Sequence, residues 1–275
     1  MKRTLTAAVA VWLLTAGVAR AELLHYWDFN EGTGTTANDQ GQASTLLNLT
    51  LGGNAQYAPD AARGTVLSLD GSSTTYAFST KGVPFTAPIT HTVSLWGKHD
   101  THGMQRYLSW GRYFFGIYPE AQRPSETDGI TSLCFGASQK AFFTNSYYDD
   151  TSPIVGTPLV DTAWHYWTLV AQQDGTNNRV SLYRDAELLQ TIALTGATID
   201  TSSYKTFYIG AQFNGGELFD GLIDDVAIWD TALTPEQIAI AMDAGPLALP
   251  EPSTSLLSLG ALLGVLGLHW CRRGK

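Results

Sequence analysis

Phe219-Asp220-Gly221-Leu222-Ile223-Asp224-Asp225-Val226-Ala227-Ile228-Trp229 reads as a turn followed by a strand. Asp220-Gly221 carries turn chemistry, and the run after it is short, β-branched and aromatic. If Val226 and Ile228 face a core, strict alternation puts Asp224 on their side and Asp225 outward with Ala227. A carboxylate on the core side must then be compensated by a partner. Just downstream, Thr234-Pro235-Glu236-Gln237 combines a capping threonine, a proline at the first helical position and a glutamine able to close a capping box. Ile238 and Met242 follow at helical spacing, and Gly245 is the expected stop.

Upstream the same strand texture recurs. Segments 23–29, 66–69, 92–96, 113–118, 131–135, 165–171, 180–184 and 207–209 are short and rich in β-branched or aromatic residues. Asp70-Gly71, Asp174-Gly175 and Asn214-Gly215-Gly216 supply further turns. Many short strands and one helix predict an all-β fold, an antiparallel β-sandwich of the jelly-roll kind with one short C-terminal helix. No repeat or linker divides residues 22–245, which form one expected domain.

The two ends differ from this middle. Lys2 and Arg3 precede an apolar run that closes in Ala19-Arg20-Ala21 before Glu22, the parts of a signal peptide over residues 1–21 with cleavage between Ala21 and Glu22. At the other end, Pro250-Glu251-Pro252 leads into an apolar run and then Cys271-Arg272-Arg273-Gly274-Lys275. Residues from about 253 to 270 just span a bilayer core of about 30 Å as a helix, with the cations held on the cytoplasmic side.

Charge narrows the partners. Six of the 16 basic residues lie at the ends, whereas all 25 acidic residues lie between Glu22 and Glu251, leaving ten basic residues there and a net charge of −15. Such a field repels phosphate backbones, so nucleic acid is excluded as an expected partner. Cys134 sits in the middle and Cys271 beside the terminal arginines, so neither a disulfide framework nor a four-ligand zinc site is expected.

Order makes these pieces more specific. Tyr26-Trp27-Asp28-Phe29-Asn30-Glu31-Gly32-Thr33-Gly34, Leu67-Ser68-Leu69-Asp70-Gly71, Thr92-Val93-Ser94-Leu95-Trp96 and Trp164-His165-Tyr166-Trp167-Thr168-Leu169-Val170 come first. Val180-Ser181-Leu182-Tyr183 with Asp185, the opening stretch, and Ala232-Leu233-Thr234-Pro235-Glu236-Gln237-Ile238 complete the series. Together they resemble the laminin G-like jelly roll of the concanavalin A-like lectin and glucanase superfamily. The last 26 or so residues resemble a PEP-CTERM sorting signal of exopolysaccharide-producing Gram-negative bacteria. That resemblance implies recognition of Pro250, Glu251 and Pro252 by an exosortase, a tail over residues 246–275 that anchors transiently in the inner membrane, and a final place at the cell surface or outside the cell.

The superfamily resemblance also implies chemistry to look for. Its laminarinase-like members carry a Glu-x-Asp-x-x-Glu pattern, which this sequence lacks, and Asp149-Asp150 and Asp224-Asp225 are adjacent rather than on one strand face. No catalytic residue is therefore assigned. Relatives often hold a structural Ca²⁺ where the loop after the first strand meets the last strand, which implies Asn30, Asp39 and Asp224 as ligands. An Asp224 held by backbone hydrogen bonds without an ion is the equal alternative. For glycan binding, aromatic side chains near glycine, serine or asparagine in the divergent segment 98–160 are the candidates: Trp110, Tyr147 and Tyr148. The leading expectation is an exported, non-catalytic, carbohydrate-binding protein associated with exopolysaccharide. A glycan hydrolase or lyase with an unrecognised site, and a protein-binding adhesive module, stay open beside it.

Overall fold

Alternation decides which way each strand faces. In Tyr76-Ala77-Phe78-Ser79 the small residues point inward and the rings outward, whereas Phe207 and Ile209 point inward on either side of Tyr208. A computed structural model describes residues 21–81, 90–100, 105–110, 113–117, 162–172, 177–195, 206–212 and 215–249. The first strands are β1 (Leu23–Trp27), β2 (Thr36–Ala37), β3 (Leu49–Gly52), β4 (Gln56–Asp60), β5 (Gly64–Asp70), β6 (Tyr76–Ser79) and β7 (His91–His99). After them come β8 (Gln105–Trp110), β9 (Tyr113–Ile117), β10 (His165–Gln172), β11 (Asn177–Arg184), β12 (Glu187–Thr195), β13 (Phe207–Ile209) and β14 (Asp220–Trp229). Helix α1 (Pro235–Ala244) and a 3-10 turn (Pro246–Ala248) close the described chain. The expected strand at 131–135, the Pro-Glu-Pro tripeptide and both apolar ends lie outside the described residues. Among the described residues no helix is long and apolar enough to cross a membrane.

The strands form two antiparallel sheets. One runs β12-β11-β10-β7-β14-β5-β4, with β1 also paired to β14, and the other runs β2-β3-β6-β13-β8-β9. Their inner faces share one core. Leu95, Trp167, Leu169, Val226 and Ile228 of the larger sheet pack with Leu49, Ala77, Leu108, Trp110 and Phe207 of the smaller. Each fully buried large side chain there contributes about 1.5–3 kcal/mol relative to exposure. The expected antiparallel sandwich with one short helix is the observed architecture.

The larger sheet is apolar on its outer face as well. Tyr26, Tyr166, Val170, Ala227 and Trp229 form a second cluster, which Ile238 and Ala241 of α1 cover. The helix begins as its sequence requires: Thr234 Oγ1 accepts from Gln237 N, and Gln237 Oε1 accepts from Thr234 N at 2.9 Å. Gly245, at φ 87°, ends it.

One local feature overturns the alternation expected of β14. Asp224 pairs with Trp96, but Ala227 pairs with Ser94, so one extra residue is inserted on β14. Asp225 occupies that β-bulge at φ 48°, a conformation unusual for an L residue. Val226 and Ile228 therefore face the core while Asp224 points to the outer face with Trp96. The bulge also marks a change of neighbour, because residues 220–223 pair with β5 and residues 226–229 with β1.

Candidate functional site

Acidic residues anchor two separate structural junctions. Asp39, in the loop after β2, is buried and accepts from Tyr26 N at 3.0 Å, Gly41 N at 2.9 Å and Leu47 N at 2.7 Å. His25 Nδ1 approaches its second oxygen at 2.6 Å. Burial opposes ionisation of Asp39, but the hydrogen bonds from His25, Leu47, Tyr26 and Gly41 outweigh it and hold the carboxyl below its ordinary range. Asp224 belongs to the other junction. Arg63, just before β5, donates from Nε to Asp224 Oδ2 at 2.7 Å and from Nη2 to Asp225 Oδ2. Its guanidinium lies 4.3 Å from the Trp96 ring centre and 5.6 Å from that of Trp164. Tyr26 Oη donates to Asp225 Oδ1 at 2.5 Å. Burial, with the neighbouring Asp225 charge adding to it, outweighs Arg63 and pushes Asp224 up to about 7.

The expected calcium set does not fit this arrangement. Both Asp39 oxygens are taken by His25 and three backbone amides, Asp224 is turned toward Arg63, and exposed Asn30 belongs to a local turn with Asp28. Ca²⁺ requires six to eight oxygen ligands, and no group of three or more His, Cys, Asp or Glu suited to a metal stands among the described residues. The alternative also needs correction, since Asp224 is compensated by a guanidinium rather than by backbone amides alone.

Aromatic residues give a different candidate. Trp110 is 1% exposed and packs in the core, with its ring centre 5.8 Å from that of Phe207. It faces inward because it pairs with Phe207 across β8 and β13, which removes it from any stacking surface. Tyr147 and Tyr148 lie outside the described residues. On the outer face of the smaller sheet, however, Tyr76, Phe78 and Tyr208 are partly exposed and belong to neither buried cluster. Phe78 and Tyr208 are cross-strand partners whose rings lie 27° from parallel. Tyr76 stands nearly perpendicular to both, at 79° and 82°. The three form an aromatic corner.

Gly52 adds no side chain to that corner. Gly52 pairs with Tyr76 on the same face, where a Cβ would come 3.6 Å from the Phe78 ring and 3.0 Å from Thr74 O. A polar rim is bonded to Thr75, the residue before Tyr76. Asp70 Oδ1 accepts from Ser72 N at 3.0 Å and Ser72 Oγ at 2.6 Å, and Oδ2 accepts from Asn54 Nδ2 at 2.7 Å. Asn54 N in turn donates to Thr75 Oγ1 at 3.2 Å, one residue before Tyr76. The bonds from the Ser72 hydroxyl, Asn54 and the Ser72 amide hold the exposed Asp70 carboxyl well below the usual carboxylate range. Flat apolar rings beside fixed hydrogen-bonding groups suit a ligand with both apolar faces and hydroxyl edges. In sequence, the outward rings were signalled only by the two-residue period of Tyr76-Ala77-Phe78-Ser79 and Phe207-Tyr208-Ile209.

Comparison with known proteins bears on the fold. A family model described as the concanavalin A-like lectin/glucanases superfamily matches residues 70–239. No curated protein sequence matches the chain. Among solved structures, domain 4 of an extracellular arabinanase from Geobacillus stearothermophilus, in complex with arabinotriose, superposes with a TM-score of 0.57 at 18% identity. That match covers 80% of this chain and 98% of the arabinanase domain. The binding domain of Paraclostridial Mosquitocidal Protein 1 gives 0.52 at 10% identity over 81% of this chain. A botulinum neurotoxin type C structure, described as depending on two ganglioside molecules for cell entry, gives 0.50 at 12% over 81%. This chain spans only about half of each toxin chain, 52% and 51% respectively. At such identities the likeness is one of fold.

Proposed function

The chain belongs to the concanavalin A-like lectin/glucanases superfamily, and from that membership we propose that it is a non-catalytic glycan-binding protein working through the corner of Tyr76, Phe78 and Tyr208. The observation that carries the reading is the set of partly exposed rings beside Gly52 and a pre-formed polar rim. Sugar rings present C–H faces to aromatic planes and hydroxyls to polar neighbours, and this corner offers both. Structural neighbours solved with arabinotriose or described with gangliosides support a glycan as the kind of partner. The adjacent acids Asp224 and Asp225 are held by Arg63, which favours binding over acid-base chemistry at that place.

The test is a glycan array followed by titration calorimetry on the best ligand. Tyr208→Ala and Phe78→Ala are each expected to weaken binding about tenfold, close to ~1.4 kcal/mol, without change in melting temperature beyond a few degrees. Equal affinity in both variants removes the corner from the function. Release of reducing ends from a bound polysaccharide overturns the non-catalytic part.

The proposal includes the expected processing: a signal peptide over residues 1–21, the domain at 22–245 and a sorting tail at 246–275 that associates the product with exopolysaccharide. Mass spectrometry of the extracellular form is expected to begin at Glu22 and to lack the residues beyond Pro252. An intact Lys275 in that form contradicts the sorting assignment.

A further inference from the structure

We infer that the aromatic corner takes neutral, hydroxyl-rich glycans and rejects polyanionic ones; this rests on the reading of the corner as a sugar site. Among the described residues, Asp70 is the charged group tied to its edge, through Ser72 and Asn54 to Thr75, the residue before Tyr76. Oδ1 accepts two hydrogen bonds from Ser72 and Oδ2 one from Asn54. An ionised carboxylate is an acceptor only, so the hydroxyl donors of a neutral sugar are compatible with it. A uronate or sulfate arriving there brings a second negative charge to a carboxylate whose partners keep it ionised even in mild acid.

Among the described residues little offsets that repulsion. Lys81 lies beyond the opposite end of β6 from the rim, and buried Arg106 is paired with Glu217. The stretch from Glu22 to Glu251 carries the net −15 described above. At physiological salt the Debye length is about 8 Å, so Asp70 acts on the nearest sugar unit while the wider field weakens as salt rises. Exclusion of anionic glycans should therefore be strongest at low ionic strength, whereas stacking of neutral ones should hardly depend on it.

Affinity electrophoresis of the full chain tests this in gels containing arabinan or dextran as neutral polymers, and polygalacturonate or alginate as anionic ones. Retardation by a neutral polymer, with none by the polyuronates at low salt, is expected. Asp70→Asn should narrow the preference for neutral over anionic polymers about tenfold. Asn54→Ala, which removes one donor but keeps the charge, should preserve the preference, and melting curves of both variants exclude unfolding as the cause. Retardation by polyuronate equal to or stronger than by the neutral polymers overturns the ligand class but leaves the corner as a sugar site. If no polymer is retarded, or Tyr208→Ala is retarded like the wild type, the sugar reading falls and this inference with it.

Discussion

Arg63 is a single residue on which three others depend. It bonds Asp224 and Asp225, lies over Trp96, and leaves Asp225 free to accept from Tyr26 Oη. Removing one partner of a largely buried ionic group costs about 3 kcal/mol, so Arg63→Met is expected to lower the melting temperature by roughly 6–12 °C. Adding Asp224→Asn should recover part of that loss. The same chemistry fixes a pH dependence. An unfolded aspartate titrates near 3.8, but Asp224 in the fold titrates near 7, so the folded state binds more protons between these values. Its contribution is present below about pH 4 and is lost as pH rises toward 7. Asp39 acts in the opposite sense, because its lowered value makes stability fall as pH drops through its folded-state value. Thermal unfolding from about pH 4 to pH 8 should therefore show a decline toward alkaline pH that Asp224→Asn flattens. With Asp39 and Asp224 already committed to protein donors, chelator should leave the melting temperature unchanged. A shift reversed by Ca²⁺ would contradict this account.

At the scale of the element, the bulge in β14 decides which side chains fill the core. Deleting Asp225 removes the extra residue but keeps Asp224 opposite Trp96 and Ala227 opposite Ser94, so Val226 and Ile228 still face the core, and a folded protein lacking the bulge is expected in soluble expression and near-ultraviolet dichroism. Asp225→Gly is the control. It suits the positive φ while losing the bonds to Arg63 and Tyr26, and a folded protein weakened by about 1–3 kcal/mol is expected in denaturant titration. The bulge also explains the limit of what sequence revealed. The opening stretch, the strands around Leu95 and Leu169, and the capping box at Thr234 were legible because local chemistry and tertiary packing agree there. Alternation alone puts Asp224 on the wrong face, because one inserted residue leaves no mark in a pattern of alternation. Its glycine and serine neighbours suggest a loop at Trp110, whereas pairing with Phe207 turns it inward. Tyr76, Phe78 and Tyr208 come from strands of four and three residues, too short for their period to stand out.

For the whole molecule, the two faces of the sandwich are treated differently. Helix α1 covers the apolar outer face of the larger sheet, while the smaller sheet keeps its rings partly open to solvent. The domain is also closed at its ends: Glu22 N donates to Asp230 Oδ1 at 2.9 Å, and Asp230 N donates to Glu22 O at 3.1 Å. Cleavage before Glu22 would turn the first of these donors into an ammonium facing a carboxylate. In the processed chain, Asp230→Asn is then expected to lower stability by up to about 1 kcal/mol, less at high salt, as read by denaturant titration at two ionic strengths. An equal effect in the unprocessed chain would show that the new charge contributes nothing.

The pairing of β1 with β14 has a consequence in time. Tyr26 meets Asp225 across 199 residues, and Glu22 meets Asp230 across 208, so the first strand to be synthesised waits for nearly the last. Until β14 emerges, the larger sheet lacks the strand that joins β7, β5 and β1, and closure over so long a loop is slow. If the chain is exported as proposed, that delay keeps it threadable through a secretion channel, because its fold is completed only when the final strand arrives.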